Sequence, residues 1–466
     1  MQTVIYKAYG RNHAADPLNV GSPVPNIRQL IFTELSDLVN ADPDNDGGCS
    51  RRGGFVKRYD GDVRSMFAND DIFLFHEGNA LKQFNPDTYA STFINLWLNA
   101  TASTVFCDVN GLVVYTDGTV IRKVFEGGDK AFAVPTAEFK LEVPPGRCLA
   151  AFKQHLLVGQ DDGFVVTDPE IVDEMDRRQC YFPLGGPAVE ILPVDGGLYV
   201  STDERVYYVE GHGLPQWLQP GAVRVVLETP IIKGTGVTLR ASQTGLKEVQ
   251  GNICMFTTAK GICYGISGGA VICATEGKVE PGDEYVSGTA ILRESGDTAH
   301  YLAILQDADG DFHGEVLNTS TQGAARYTGF NFRSIVRYQG RLFGGNSSGI
   351  YELTGDADDG AAIQASGLSG ISDCGTNKIK MFPDARLTLR CEGTLEFDVY
   401  VDEKPASTYP VTYAEDREGI HKKRRKLARG VKGGHVQIGW RNVDGCDFYL
   451  KEIELDVVAS ETRRVR

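Results

Sequence analysis

The chain has 466 residues, 42% of them apolar, and no apolar run approaches the roughly 18 residues of a membrane-spanning helix, so neither disorder nor membrane spanning describes it. A formal net charge of −15 argues against tight retention of nucleic acid, which needs a surplus of Lys and Arg to neutralise phosphates. The opening MQTVIYKAYGRNHAADP lacks the basic region and apolar core of a secretory signal. The expectation is a chain that stays in the cytoplasm where it is made, or leaves without a signal of its own.

Residues 1–60 carry DPLNVGSPVPN, then NIRQLIFTELSDLVNA (26–41), in which Leu30, Ile31, Leu35 and Leu38 recur at helical spacing. We expect an extended N-terminal arm with one short helix, docked elsewhere on the chain. DPDNDG follows, with Asp42, Asp44 and Asp46 alternating before Gly47 like the opening of a calcium loop. Gly53 stands where the twelfth-position Glu would be, so a plain turn competes with a calcium site.

From about residue 61 to 360 one unit recurs: an apolar strand, a turn of Gly, Asp, Asn, Ser or Thr, and a second strand rich in aromatic and β-branched residues. The copies are IFLFHEGNALKQF (72–84), GLVVYTDGTVIRKV (111–124), HLLVGQDDGFVVT (155–167), GLYVSTDERVYYV (197–209), ICMFTTAKGICYGI (253–266), YLAILQDADGDFHGEVL (301–317) and RLFGGNSSGIYEL (341–353). Their intervals are close to the length of a four-stranded propeller blade. A lone hairpin cannot bury its face, so hairpins in series imply stacking. The fold expected is all-β: a β-propeller of about seven blades, with two consecutive β-sandwiches as the competitor. Neither the tryptophan-aspartate signature of the WD40 class nor the Asp-box of sialidases is present. A second short helix is expected in DPEIVDEMDRR (168–178), with Asp168 and Pro169 at its start.

Chemistry-bearing motifs are sparse. GISGG (265–269) fits a nucleophile elbow around Ser267, but a strand rather than a helix follows, so a glycine-rich turn is expected. DADGD places Asp307, Asp309 and Asp311 in a hairpin turn, a second calcium candidate against the same plain-turn reading. None of the ten cysteines forms a CxxC pair. Cys254, Cys263 and Cys273 alternate with apolar residues and read as buried free thiols. No catalytic residue and no cofactor other than calcium is indicated.

A Gly-, Ser- and Asp-rich stretch around 361–376 reads as a linker. Beyond it, 377–466 shows the strict alternation of a small antiparallel β-sandwich, as in RLTLRCEGTLEFDVYVDEK and HVQIGWRNVDG. It is interrupted by HKKRRKLARGVKGG (421–434), with Lys422, Lys423, Arg424, Arg425, Lys426, Arg429 and Lys432. This reads as a solvated hairpin arm or as a docking arm for an acidic neighbour. Nucleic-acid contact is disfavoured because no aromatic residues interleave with the charges.

GGFVKRYDGDVRSMFANDDIFLFHEGNALKQF, with Gly54, Lys57, Arg58, Tyr59 and Asp60, resembles the entry into the propeller of the packaged-DNA stabilisation proteins of short-tailed phages. GHVQIGWRNVDGCDFYLKEIELDVVASETRRV is similar in style to the closing sandwich of many phage tail proteins. The resemblance implies a non-enzymatic virion protein of the tail or neck, made in the host cytoplasm. It further implies a ring of sister copies, contacts with neighbouring tail or neck proteins, and passage of DNA without tight binding. Two other readings stand beside it: a glycan-binding spike or fibre component with Trp217 or Tyr207 stacking on sugars, and a propeller hydrolase using clustered carboxylates.

Overall fold

A computed structural model describes residues 2–7, 10–12, 29–32, 34–125, 128–376, 378–412 and 419–463. The protein is all-β and propeller-like. Among the described residues, seven four-stranded antiparallel meanders follow one another, the sixth continuing into a larger sheet. Each of the seven hairpins read from the sequence forms the two middle strands of one meander, as with His155–Gln160 and Gly163–Val166, or Arg341–Asn346 and Gly349–Glu352. These strands are apolar almost throughout because neighbours cover both faces: Gly197–Ser201 and Gly261–Gly265 are buried at every residue.

The first strands of the meanders, from Val63–Ala68 to Ser334–Tyr338, pack in sequence, and Ser334–Tyr338 returns to pack on Val63–Ala68. Hydroxyl groups stitch neighbouring meanders at this level. Ser65 Oγ accepts the Thr104 N–H at 3.0 Å, Ser334 Oγ accepts the Met66 N–H at 3.0 Å, and Thr289 Oγ1 accepts the Ile335 N–H at 3.2 Å. Each satisfies a backbone donor that the ladder of its own sheet leaves open.

The fourth strand of the last meander is Val56–Asp60, paired antiparallel with Gly349–Glu352. The segment carrying Lys57, Arg58, Tyr59 and Asp60 therefore completes the last sheet before the chain enters the first at Val63. Tyr59 also reaches the first meander, where its hydroxyl donates to Glu77 at 3.0 Å and its ring meets Phe75 edge-on.

Most of the remaining described strands form two sheets over one apolar cluster. One holds Asp384–Cys391, His421–Lys426, Phe448–Arg463 and the N-terminal Gln2–Tyr6 and Gln29–Phe32. The other holds Thr394–Val401, Lys404–Thr412, Val436–Asn442, Ser366–Ser369 and Leu35–Val39. Leu387, Leu389 and Leu455 from the first pack with Phe397, Ile438 and Trp440 from the second, the alternation of an antiparallel sheet with one dry face. The second sheet runs on through Leu35–Val39 into Ala324–Tyr327, so nine strands join the sixth meander to the C-terminal unit.

Four expectations are corrected. Residues 29–32 and 35–39 are strands, not a helix; residues 26–28 and 33 lie outside the described residues. Leu35 and Leu38 share a buried face at a spacing of three because the pairing with Ser366–Ser369 shifts register between Leu35 and Asp37. At 168–178 the carboxylate of Asp168 is held by Lys140, Glu170 takes a positive φ of 66°, and Glu174–Asp176 pairs as a strand with Lys140–Glu142. The expected linker contains a paired strand and buries Ile363, Ala365 and Cys374. Finally, Cys263 and Cys273 face each other across adjacent strands, with Cα atoms 4.0 Å apart, and form a disulfide; Cys254 remains a buried free thiol.

Candidate functional site

Of the six aspartates singled out as calcium candidates, Asp42, Asp44 and Asp307 use their carboxylates within the protein, and Asp46, Asp309 and Asp311 are exposed. Asp42 pairs with Arg293 at 2.8 Å and accepts the Tyr327 hydroxyl. Burial opposes its ionisation, but Arg293, His300 and Tyr327 together hold its carboxyl below the usual range. Asp44 Oδ1 accepts the N–H groups of Asp46 at 2.8 Å and Gly48 at 2.7 Å, and its other oxygen accepts the Tyr449 hydroxyl at 2.6 Å. Asp46 is exposed. Asp307 Oδ1 accepts the N–H groups of Asp309 at 3.0 Å and Asp311 at 2.8 Å, closing a hairpin turn. Among the described residues no group of three or more His, Cys, Asp or Glu is arranged to hold a metal ion.

The basic segment is not a free arm. His421–Lys426 is an edge strand paired along Asp384–Cys391. Lys422 pairs with Glu454 and Arg424 with Asp384, while Lys423 and Arg425 donate to the carbonyls of Thr412 and Pro410. Lys426, Arg429 and Lys432 are exposed. Lys422 and Arg424 are exposed as well, so the cluster divides by its bonds within the sheet and not by burial.

Ser267 sits in a turn leading to the strand Val271–Cys273, with Gly268 and Gly269 at positive φ, as the glycine-turn reading expects. Trp217, offered for sugar stacking, is 1% exposed and packs among Phe152, Phe164 and Phe182; Tyr207 is half-buried. Among the large apolar residues described, Trp97 is the most exposed, at 86%, with Phe93 and Leu96 near it in and after the outer strand of the first meander. Outer strands of the third, fourth and fifth meanders likewise expose Tyr181, Val225 and Ile272. Sequence reading missed this belt, although the run LWL after FIN was a signal: alternation breaks where an edge strand should turn polar.

Taken together, the protein is an all-β, propeller-like molecule with apolar side chains exposed along the open edges of its sheets. Neither a protein-family model nor a curated protein sequence matches the chain. Among solved structures it is similar to the WD40 β-propeller domain of Doa1 (10% identity, 65% of this chain and 96% of that one, TM-score 0.41). It is also similar to the extracellular domain of BT4673 from B. thetaiotaomicron (10% identity, 88% and 63%, TM-score 0.43). A third likeness is to BBS1N, solved in complex with ARL6DN (12% identity, 65% and 96%, TM-score 0.41).

Proposed function

We propose that the chain is a seven-bladed β-propeller closed by its own N-terminal segment and fused to a C-terminal β-sandwich. In this reading it is a structural virion protein of a bacteriophage tail or neck. Its partners are sister copies in a ring and neighbouring tail proteins, and DNA passes without being held. The observation that carries the reading is the fusion of the two units by a nine-stranded sheet. Backbone ladders of that kind resist the shear that an assembled conduit must bear. Support also comes from the segment that resembles phage proteins, because its Arg58 and Tyr59 act in ring closure, an architectural role.

Immunogold labelling of particles from the source culture, with antibody raised against the purified chain, tests the proposal. Label at a neck or tail is expected. Unlabelled particles beside abundant protein in the lysate would overturn it. Trp97 favours one second reading, a glycan-binding spike component, since an exposed indole face suits stacking on a sugar. Glycan-array binding that Trp97→Ala abolishes would establish that reading instead.

A further inference from the structure

Residues in or just before the first strands of five meanders, with Gln306 from a second strand, line a cavity of about 530 Å³. Its lining contains three cations, Arg64, Lys233 and Arg333, and no carboxylate. In a chain of net charge −15 this concentration of positive charge at one concave site runs against the composition. The nearest acids only partly offset it. Asp62, outside the lining, accepts Arg333 Nη1 at 2.8 Å and lies 3.7 Å from Arg64 Nη2, so one carboxylate serves two guanidinium groups. Glu190 accepts the Gly234 N–H at 2.9 Å and lies near enough to feel the charge of Lys233. With both acids ionised, one positive charge is left over. Arg64 Nε is buried without a hydrogen-bond partner, and Lys233 is exposed. Ser103, Ser287 and Gln306 add polar groups to the same wall.

We propose that this cavity binds a small phosphorylated anion. Guanidinium groups offer paired N–H donors that match phosphate oxygens, and a lysine adds a mobile point charge. The volume falls within the roughly 300–1,000 Å³ of small-molecule sites. A long polyanion is the poorer fit, because the chain's net charge of −15 repels it as a whole while low-dielectric walls focus the field inside the cavity. The proposal goes beyond the virion reading and does not depend on it: particle labelling leaves it untouched.

The test is isothermal titration of the full chain with inorganic pyrophosphate at low ionic strength, repeated at high salt. One site per chain is expected, weakened by salt because the contacts are charged. Lys233→Ala should weaken binding by about three- to tenfold, the effect of one charge at a partly exposed site. Arg64→Ala should weaken it further. If that variant fails to fold, as judged by circular dichroism, Lys233→Ala still decides, because its side chain is exposed. Lys426→Ala, on the distant basic strand, should bind like the parent. No binding at about 10 mM pyrophosphate, far weaker than ordinary ligand affinities, overturns the proposal. Equal weakening by Lys426→Ala also overturns it. An oligothymidine that binds through Lys233 and is not displaced by pyrophosphate replaces the small anion with nucleic acid.

Discussion

Arg52 and Asp358 form a two-pronged ion pair, Nη1 to Oδ1 at 2.7 Å and Nη2 to Oδ2 at 2.6 Å, with Arg52 only 1% exposed. The same guanidinium donates to Asn40 Oδ1 and to the Thr328 carbonyl, each at 3.0 Å, and lies over the rings of Tyr327 and Phe330. It thereby ties the N-terminal segment to the sixth meander and to the chain that leaves the seventh. Removing one partner of a buried pair strands the other charge, at a cost of about 3–5 kcal/mol. Arg52→Ala should lower the urea midpoint accordingly, and Asp358→Asn should lower it less because its amide still accepts a hydrogen bond. An unchanged midpoint for Arg52→Ala would show that this junction contributes nothing to stability.

Ring closure has its own sensitive position. Gly349 has a φ of +149°, and a Cβ added there would stand 1.8 Å from the Tyr59 carbonyl oxygen on the closing strand. Gly349→Ala must therefore strain its backbone or push the closing strand away, a cost of about 1–3 kcal/mol. Hydrogen exchange should quicken along Val56–Asp60 before it changes in the middle strands of the other meanders. Unaltered protection of Val56–Asp60 would falsify the closure argument.

Glu190 makes a prediction about pH. Burial pushes its carboxyl up to about 7, against the pull of the Gly234 N–H and the Lys233 cation. The folded state then holds a proton that the unfolded state has already released between roughly pH 4.5 and 7, so stability falls as pH rises through that window. Each tenfold difference in proton affinity between the two states is worth ~1.4 kcal/mol, so the loss is at most roughly 3–4 kcal/mol. Glu190→Gln should remove this slope and melt above the parent at pH 8. Parallel stability curves for the two proteins would refute it.

The seven hairpins were legible because their strands are covered on both faces, which concentrates apolar residues between turn residues whatever the tertiary details. The closing strand was not: Val56–Asp60 pairs with residues 349–352, and nothing local marks so distant a partner. The helix expected at 26–41 was misread for a comparable reason, since a shifted register in Leu35–Val39 mimics helical spacing. At the surface, the charge run at 421–434 was visible but its division was not. Which cations are spent on Glu454 and Asp384 depends on strands 30 or more residues away in sequence.

That division yields the last prediction. Lys422 and Arg424 are bound up with Glu454 and Asp384, and the Arg424 guanidinium beside Asp384 holds its carboxyl below the usual range. Reversing Lys422 and Arg424 sets like charges against each other within the sheet, so the effect should appear first as a lower melting temperature. Reversing Lys426, Arg429 and Lys432, whose side chains face solvent, should leave the melting temperature within a few degrees, because surface changes away from packed features usually cost less than about 0.5 kcal/mol. If the basic edge docks an acidic neighbour in an assembled particle, this second variant is the one that should be lost from particles while remaining folded. Full incorporation of the Lys426, Arg429 and Lys432 reversal would dismiss the docking role, and the charge run would then stand as the solvated edge of its sheet.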